Sequence, residues 1–473
     1  MKKATGTTGS VRANRQRTGD RSANPARRAS NGPRSLENIV EEITKEDAPS
    51  KNAQPELIVA VEEEEQAPVV LLVETILREA LKRGASDIHI EPFEEALKIR
   101  FRIDGALQEI QSLPPKLTQA IVSRLKIMAE LDICERRIPQ DGCIRMRGKD
   151  AEEADFRIST LPSVHGEKIV MRVLGRTNLN RTLSDVGIPP KQLKLLRNAI
   201  ARPDGIVLVT GPTGSGKTTT LYSCLTELSD PEKSLFTAED PVEGTLPAIT
   251  QVQVNSAVGL TFGSVLRALL RQDPDIILVG EIRDKETIDI AMKAALTGHL
   301  VLSTLHTNDT AATIQRILNM GVEPYLISSA VNLIVAQRLV RKICTECKEP
   351  AMIDPHVLER FGLLAESLKD SSVYKGKGCP ACGGTGYSGR MPLYEVMPMT
   401  DKLKEAVLQG ASTSEIRAIS RREGMTTLRE AGVYLVKNGI TTLEEVLAKT
   451  NEDSEMEPEP QVEAQQCNLQ EAS

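Results

Sequence analysis

Residues 206–222 read IVLVTGPTGSGKTTTLY. The apolar run Ile206–Val209 predicts a buried strand, and the residues from Lys217 onward read as the start of a helix. Between them GPTGSGKT satisfies GxxxxGK[ST] at every fixed position. Glycines in such a turn let backbone N–H groups converge on a phosphate, and the following helix adds its positive N-terminal end. The expected ATP-binding residues are therefore Gly211, Pro212, Thr213, Gly214, Ser215, Gly216, Lys217, Thr218 and Thr219. Lys217 is expected to reach the β and γ oxygens and Thr218 to ligate Mg²⁺.

Downstream, SLFTAED (234–240), DIILVGE (275–281) and HLVLSTL (299–305) are further apolar strands separated by segments of helical periodicity. That alternation predicts an α/β fold with a parallel-rich sheet wrapped by helices. Cleaving ATP needs more than a phosphate loop: a carboxylate must hold Mg²⁺, and another group must orient water. Glu281, at the end of DIILVGE, is the candidate for magnesium, and Glu243, the last acid of TAEDPVE (237–243), is the candidate for water activation. On these residues alone, the plainer readings are an acid that ends a strand at Glu281 and a solvated turn at Glu243. His299 and His306 flank the LVLST strand seven residues apart, too far for one metal ion.

The chain has 473 residues, 40% of them hydrophobic, enough to bury more than one core. Aromatic residues are 3%, Trp is absent and the net charge is −6. Both features argue against a nucleic-acid partner, which calls for stacking platforms and basic surface. Residues 1–34 carry nine Lys or Arg against one acid, and residues 451–473 carry seven acids and no base. Residues 1–66 are expected to form a disordered basic arm and acidic linker, and 451–473 a disordered acidic tail. With no apolar signal core and no apolar stretch near the roughly 18 residues of a membrane span, the expected location is cytoplasmic, with any membrane contact peripheral.

Order is expected from Pro68, in the first turn of a helix whose Val69, Val73, Ile76, Leu77, Ala80 and Leu81 share one face before Gly84. SDIHIEP, LKIRFRID, DFRIST and EKIVMRVL read as strands and 117–131 as a helix. These give an α+β domain over 67–176, a hinge over 177–190 containing Gly187, Pro189 and Pro190, and the α/β domain over 191–450.

Of eight cysteines, four form Cys344-x2-Cys347 and Cys379-x2-Cys382, with 31 residues between the pairs. In a reducing compartment this spacing points to a closed, structural four-thiolate Zn²⁺ site in a module over about 341–390. Cys134, Cys143, Cys224 and Cys467 have no ligand spacing and read as core or tail thiols. His89, His165 and His356 read as structural or exposed.

Taken in order, these pieces resemble the secretion ATPases, the superfamily of type II secretion and type IV pilus assembly motors. The resemblance runs from about Pro68 to about Lys449. GPTGSGKTTT is similar to the family's Walker A, AEDPVE to its Asp box, RQDPDIILVGEIRD to its Walker B, TGHLVLSTLHTNDT to its His box and AQRLVRKIC to the segment before its metal module. SDIHIEP, RFRIDG and RIPQDG resemble its smaller N-terminal domain. The resemblance implies a RecA-like P-loop ATPase domain preceded by that smaller α+β domain. It implies that Glu281 holds Mg²⁺ through water, that Glu243 activates the attacking water, that His306 senses the γ-phosphate and that His299 makes supporting contacts. Arg157 and Arg172 fall where the family donates arginine fingers from the N-terminal domain, and Arg283, in the Walker B extension, is expected to relay the nucleotide state onward. A homohexamer is further implied, docked on an inner-membrane platform protein and its accessory docking protein, feeding pilin-like subunits into a filament. The tetracysteine motif resembles that of assembly rather than retraction motors. Many family members carry a folded N-terminal docking domain where this chain has the arm and linker. The alternative is a P-loop nucleic-acid translocase or DNA-uptake ATPase. A non-hydrolysing scaffold would lack the acids at 243 and 281, which are present.

Overall fold

The computed structural model describes residues 62–147, 153–174, 181–368 and 371–451. The basic arm, most of the expected linker, the start of the expected hinge and the acidic tail from 452, with Cys467, lie outside the described residues. The chain divides into two compact units, residues 1–76 and 77–473. The described part of the first is helical and belongs to α1 (Glu62–Lys82). This helix starts at Glu62, ahead of the expected Pro68, so Pro68 lies inside it rather than in its first turn. Glu62 to Glu65 occupy the N-terminal turn, where the helix dipole favours negative charge.

The second unit contains two large sheets. The first is antiparallel and is built from β1 (Asp87–Pro92), β2 (Leu97–Ile103), β3 (Ala106–Leu113), helix α2 (Thr118–Met128), β4 (Gln140–Arg147), β5 (Glu153–Ser163) and β6 (Gly166–Leu174). Its strand order is β3-β2-β1-β6-β5-β4. Edge strand β4 escaped the sequence reading, because Ile144 alone of its residues 140–146 is buried and no apolar alternation marks it.

The second sheet follows α3 (Pro190–Ile200): β7 (Gly205–Thr210), α4 (Lys217–Leu228), β8 (Leu235–Glu239), β9 (Thr250–Gln253), α5 (Phe262–Leu269), β10 (Ile276–Val279), α6 (Lys285–Leu296), β11 (Leu300–Leu305), α7 (Thr310–Asn319), α8 (Pro324–Ala330) and β12 (Val331–Ile343). A small module intervenes, with β13 (Lys348–Ala351), α9 (Pro355–Glu359) and β14 (Val373–Gly376). Then come β15 (Tyr387–Pro398) and helices α10 (Asp401–Leu408), α11 (Thr413–Arg422), α12 (Leu428–Lys437) and α13 (Leu443–Lys449). The order is β15-β12-β7-β11-β10-β8-β9, parallel throughout except β12 with β15.

The uninterrupted apolar runs have a physical cause. Along β7, Ile206 and Leu208 join a core with α5, α6 and α7, whereas Val207 and Val209 join a core with α3 and α4. A strand covered on both faces needs apolar side chains at every position, each contributing about 1.5–3 kcal/mol on burial. All four carboxyl ends, of β7, β8, β10 and β11, lie on one edge of the parallel sheet, where ligand crevices form in such folds. The C-terminal helices begin on hydroxyl caps: Thr400, Ser412, Thr427 and Thr442 accept from the N–H of Leu403, Glu415, Glu430 and Glu445.

Candidate nucleotide site

The loop after β7 bends through Gly211, Gly214 and Gly216, all at positive φ. A Cβ on Gly211 would stand 2.5 Å from the carbonyl oxygen of Gln337, and one on Gly216 2.7 Å from Gln337 Nε2, so β12 leaves no room for side chains there. Pro212, Thr213 and Gly214 are exposed, while Lys217, Thr218 and Thr219 open α4 half-buried. The Lys217 ammonium donates to the carbonyls of Gly211 at 2.7 Å and Pro212 at 3.1 Å. Burial lowers it to about 8 against the pull of Glu281, and Arg338 adds to the lowering. Ser215 Oγ is buried with no hydrogen-bond partner. A cation held against its own desolvation, beside an orphaned hydroxyl in a glycine-rich loop, fits an anion such as a nucleotide phosphate.

The acids follow the neighbouring strands. Glu281 lies just past β10, paired with Arg283 and with its Oε2 3.4 Å from His306 Nε2. His306, following β11, is held below its usual range by burial and by the charge of Lys217, against the pull of Glu281. At the end of β8, Glu239 is buried and accepts from Tyr222 Oη, from Thr237 Oγ1 at 2.6 Å and from Gln251 Nε2 at 3.1 Å. Asp240 is exposed, and Glu243 is half-buried. Burial raises the Glu243 carboxyl above the ordinary glutamate range, Glu239 adds to the rise, and the guanidiniums of Arg172 and Arg157 oppose it.

Those arginines come from the antiparallel sheet, where β5 and β6 align Arg157 directly with Arg172. The β2–β3 turn contacts the region following the cysteine module: Asp104 Oδ2 accepts from Gly389 N at 2.7 Å, and its Oδ1 is 3.5 Å from Arg390 Nε. His299 is not brought to the site. It precedes β11, and six residues of strand, about 20 Å, separate it from His306. There its Nδ1 lies 2.9 Å from the carbonyl of Ala294 at the end of α6.

The four cysteine sulfurs lie within 4.8 Å of one another. Cys344 and Cys379 are 3.9 Å apart, Cys347 and Cys382 3.9 Å, and Cys379 and Cys382 3.7 Å. A tetrahedral zinc ion with Zn–S near 2.3 Å sets its sulfurs about 3.8 Å apart, so the cluster fits zinc in a closed, structural site. N–H groups of Gly378, Cys379 and Gly386 point at these sulfurs at 3.2–3.3 Å, as suits thiolate. Of the other cysteines, Cys224 is buried, and burial pushes its thiol up to about 12. Cys134 and Cys143 are exposed rather than core residues, one on the loop after α2 and one on edge strand β4. His165 and His356 are exposed, and His89 is largely buried.

The sequence profile of the family described as Type II/IV secretion system protein matches residues 62–448. The chain belongs to that family. It is 49% identical over 426 residues to the type IV pilus assembly ATPase PilB of Myxococcus xanthus, covering 90% of this chain and 75% of that one. It is 45% identical over 398 residues to the type II secretion system protein HxcR of Pseudomonas aeruginosa, covering 84% and 81%. Among solved structures it is similar to the pilus retraction motor PilT with bound ADP, with a TM-score of 0.54, 26% identity and coverage of 80% of this chain and 96% of that chain. The parallel sheet has the RecA-like fold of these secretion ATPases.

In this secretion-family chain the sequence reading missed the residues beneath the phosphate loop. Gln337 and Arg338 sit on β12, which pairs with β7, and both are buried. Gln337 Oε1 accepts from Thr220 Oγ1 at 2.8 Å, and Arg338 Nη2 donates to the carbonyl and side-chain oxygens of Asn308 at 2.9 and 3.0 Å. The signal was available in VNLIVAQRLV: a glutamine and an arginine inside a run otherwise apolar enough for a central strand. Beyond Asn308, Asp309 pairs with Arg417 at 3.0 Å, and buried Glu395 accepts from Thr310 N at 2.9 Å and Leu428 N at 3.2 Å. The loop after β11 is thus tied to α11 and α12.

Two outcomes are expected. Gly216→Ala, which forces a methyl onto Gln337 at a positive φ, lowers affinity for a fluorescent ATP analogue at least tenfold; unchanged affinity would contradict the packing argument. Metal analysis finds about one zinc per chain, and Cys382→Ser loses it and lowers Tm by several degrees, whereas a metal-free, equally stable wild type would remove the structural site.

Proposed function

We propose that this chain is a homohexameric ATPase whose ATP hydrolysis drives assembly of pilin-like filaments, in type II secretion or type IV pilus extension. The observation that carries the proposal is the convergence on one sheet edge of the phosphate loop, Glu281, His306 and Glu243, with Arg157 and Arg172 acting on Glu243 from a separate sheet. Relatives named for pilus assembly and for secretion support the two outcomes equally. The four-sulfur cluster supports an assembly motor over a retraction motor.

In this reading the loop N–H groups and Lys217 bind the phosphates, and Thr218 and Glu281 would hold Mg²⁺, which would supply charge neutralisation there. Glu243 orients water and accepts its proton as the water oxygen bonds to the γ-phosphorus and the bond from that phosphorus to the β–γ bridging oxygen breaks, releasing ADP. A raised carboxyl pKa suits that task, since the stronger base takes the proton more readily. Arg157 and Arg172 neutralise the charge that grows on the transferring phosphoryl group, and because they belong to the other sheet, they couple its movement to chemistry. His306, between Glu281 and Lys217, senses the γ-phosphate, and Arg283 relays the state. His299 keeps a supporting role at the far end of β11. No helix among the described residues is long and apolar enough to cross a membrane. In this reading the ring works in the cytoplasm, peripheral to the inner membrane, through a platform protein and its accessory docking protein.

The test is the ATPase rate of wild type and Glu243→Gln, alone, with membranes containing the candidate platform protein and with single-stranded DNA. The expected result is stimulation by those membranes only, with kcat in the variant down roughly 10²–10⁴-fold and ATP affinity retained. Stimulation by DNA alone would overturn the reading. The pH profile supplies a second check. Activity requires the Glu243 carboxylate and falls as pH drops through its raised pKa, so the acid limb lies above the ordinary glutamate range and disappears in Glu243→Gln. A limb at the ordinary range would contradict it.

A further inference from the structure

One row of charged side chains crosses the antiparallel sheet. Its register aligns Arg102 on β2 with Asp87 on β1, Asp87 with Arg172 on β6, and Arg172 with Arg157 on β5. Three guanidiniums therefore share one row with a single carboxylate. Like charges directly opposite on adjacent strands repel, so the Arg172–Arg157 pairing is unfavourable by itself. Asp87 offsets it from the other side.

The Asp87 carboxylate is 5% exposed, and each of its oxygens is engaged. Oδ1 accepts from Arg172 Nε at 2.9 Å, while Oδ2 accepts from Ser86 Oγ at 2.9 Å and lies 3.5 Å from Arg102 Nε. Arg102 is further tied to the backbone, its Nη1 donating to the Gly105 carbonyl at 3.1 Å. Arg172 differs: its side chain is 57% exposed, and Asp87 grips it at Nε, the root of the guanidinium. Gripping the root leaves the two Nη groups free to face outward as a planar fork, the part of arginine that matches phosphate oxygens. Among the charges that oppose the rise of the Glu243 carboxyl, that of Arg172 is the larger.

We propose that Asp87 is a positioning residue for the reaction: it holds Arg172 by Nε, screens it from Arg102, and so aims its Nη fork at the phosphoryl group undergoing transfer. The proposal rests on the reading of Arg172 as a transition-state arginine. An interaction made in the transition state lowers kcat and kcat/KM together when it is lost, with KM unchanged.

The experiment compares wild type, Asp87→Ala, Asp87→Asn, Arg172→Ala and the Asp87→Ala/Arg172→Ala double variant as full-length chains. Steady-state ATPase kinetics are measured, with Tm and zinc content as controls on folding. Asp87→Ala is expected to lower kcat at least tenfold with KM for ATP within about twofold. Asp87→Asn keeps an acceptor oxygen for Nε, loses the charge, and is expected to fall between. In the Arg172→Ala background, losing Asp87 is expected to cost less than about twofold more, because the two residues act as one unit. Loss in Arg172→Ala with full activity in Asp87→Ala would overturn this proposal and leave the reading of Arg172 intact. Full activity in Arg172→Ala would overturn both. Losses that multiply in the double variant would show Asp87 acting independently of Arg172 and would also overturn the proposal. If Asp87→Ala fails to fold, the same cycle run with Asp87→Asn decides it.

Discussion

The packing of β12 against the phosphate loop is the contact on which the site depends. The Gln337 carbonyl and side-chain amide lie where Cβ atoms of Gly211 and Gly216 would be, and the amide also receives the hydroxyl of Thr220 in the first turns of α4. A glycine-rich loop is thereby held against a buried strand, beside the N-terminal end of α4, where an anion is favoured. One residue along, Arg338 binds Asn308 in the loop after β11. That loop is therefore bonded to the strand that supports the nucleotide loop and, through Asp309, Thr310 and Glu395, to helices α11 and α12.

Electrostatics divides the labour among residues that look alike in sequence. Three acids stand at the end of β8 and in the turn after it, but Glu239 is occupied by three donors and Asp240 faces solvent, which leaves Glu243 between burial and two guanidiniums. Likewise His306 and His299 bracket one strand, yet a parallel sheet has two unlike ends. Only the carboxyl end carries the glycine loop and the acids, and His299 lies at the other.

Much of this was legible from the chain because the relevant signals are local. The phosphate loop is a strand, a glycine turn and a helix in sequence, and the two CxxC pairs announce a four-sulfur cluster before any coordinates. Buried parallel strands such as IVLV and IILV read plainly because both faces demand apolar residues. What escaped was set by distant partners. Edge strand β4 has little to bury, and β12 hid because Gln337 and Arg338 interrupt an apolar run for the sake of two loops remote in sequence, Gln337 for the phosphate loop and Arg338 for the loop of Asn308. The start of α1 was misjudged because a proline suggests a first turn, whereas the helix begins earlier, at Glu62, and carries Pro68 inside it. The meeting of Arg157 and Arg172 with Glu243 could be expected from resemblance, but the row that supports it, running through Asp87, comes from sheet register.

The central claim is that a sheet distinct from the one carrying the nucleotide loop completes the chemistry through Arg157 and Arg172. Trapping with ADP, aluminium fluoride and Mg²⁺, which mimics the transferring phosphoryl group, tests it most directly in wild type and an Arg157→Ala/Arg172→Ala variant. The account predicts that wild type retains ADP through gel filtration, while the variant binds ATP with near wild-type affinity and fails to trap. Equal trapping by both chains would contradict it.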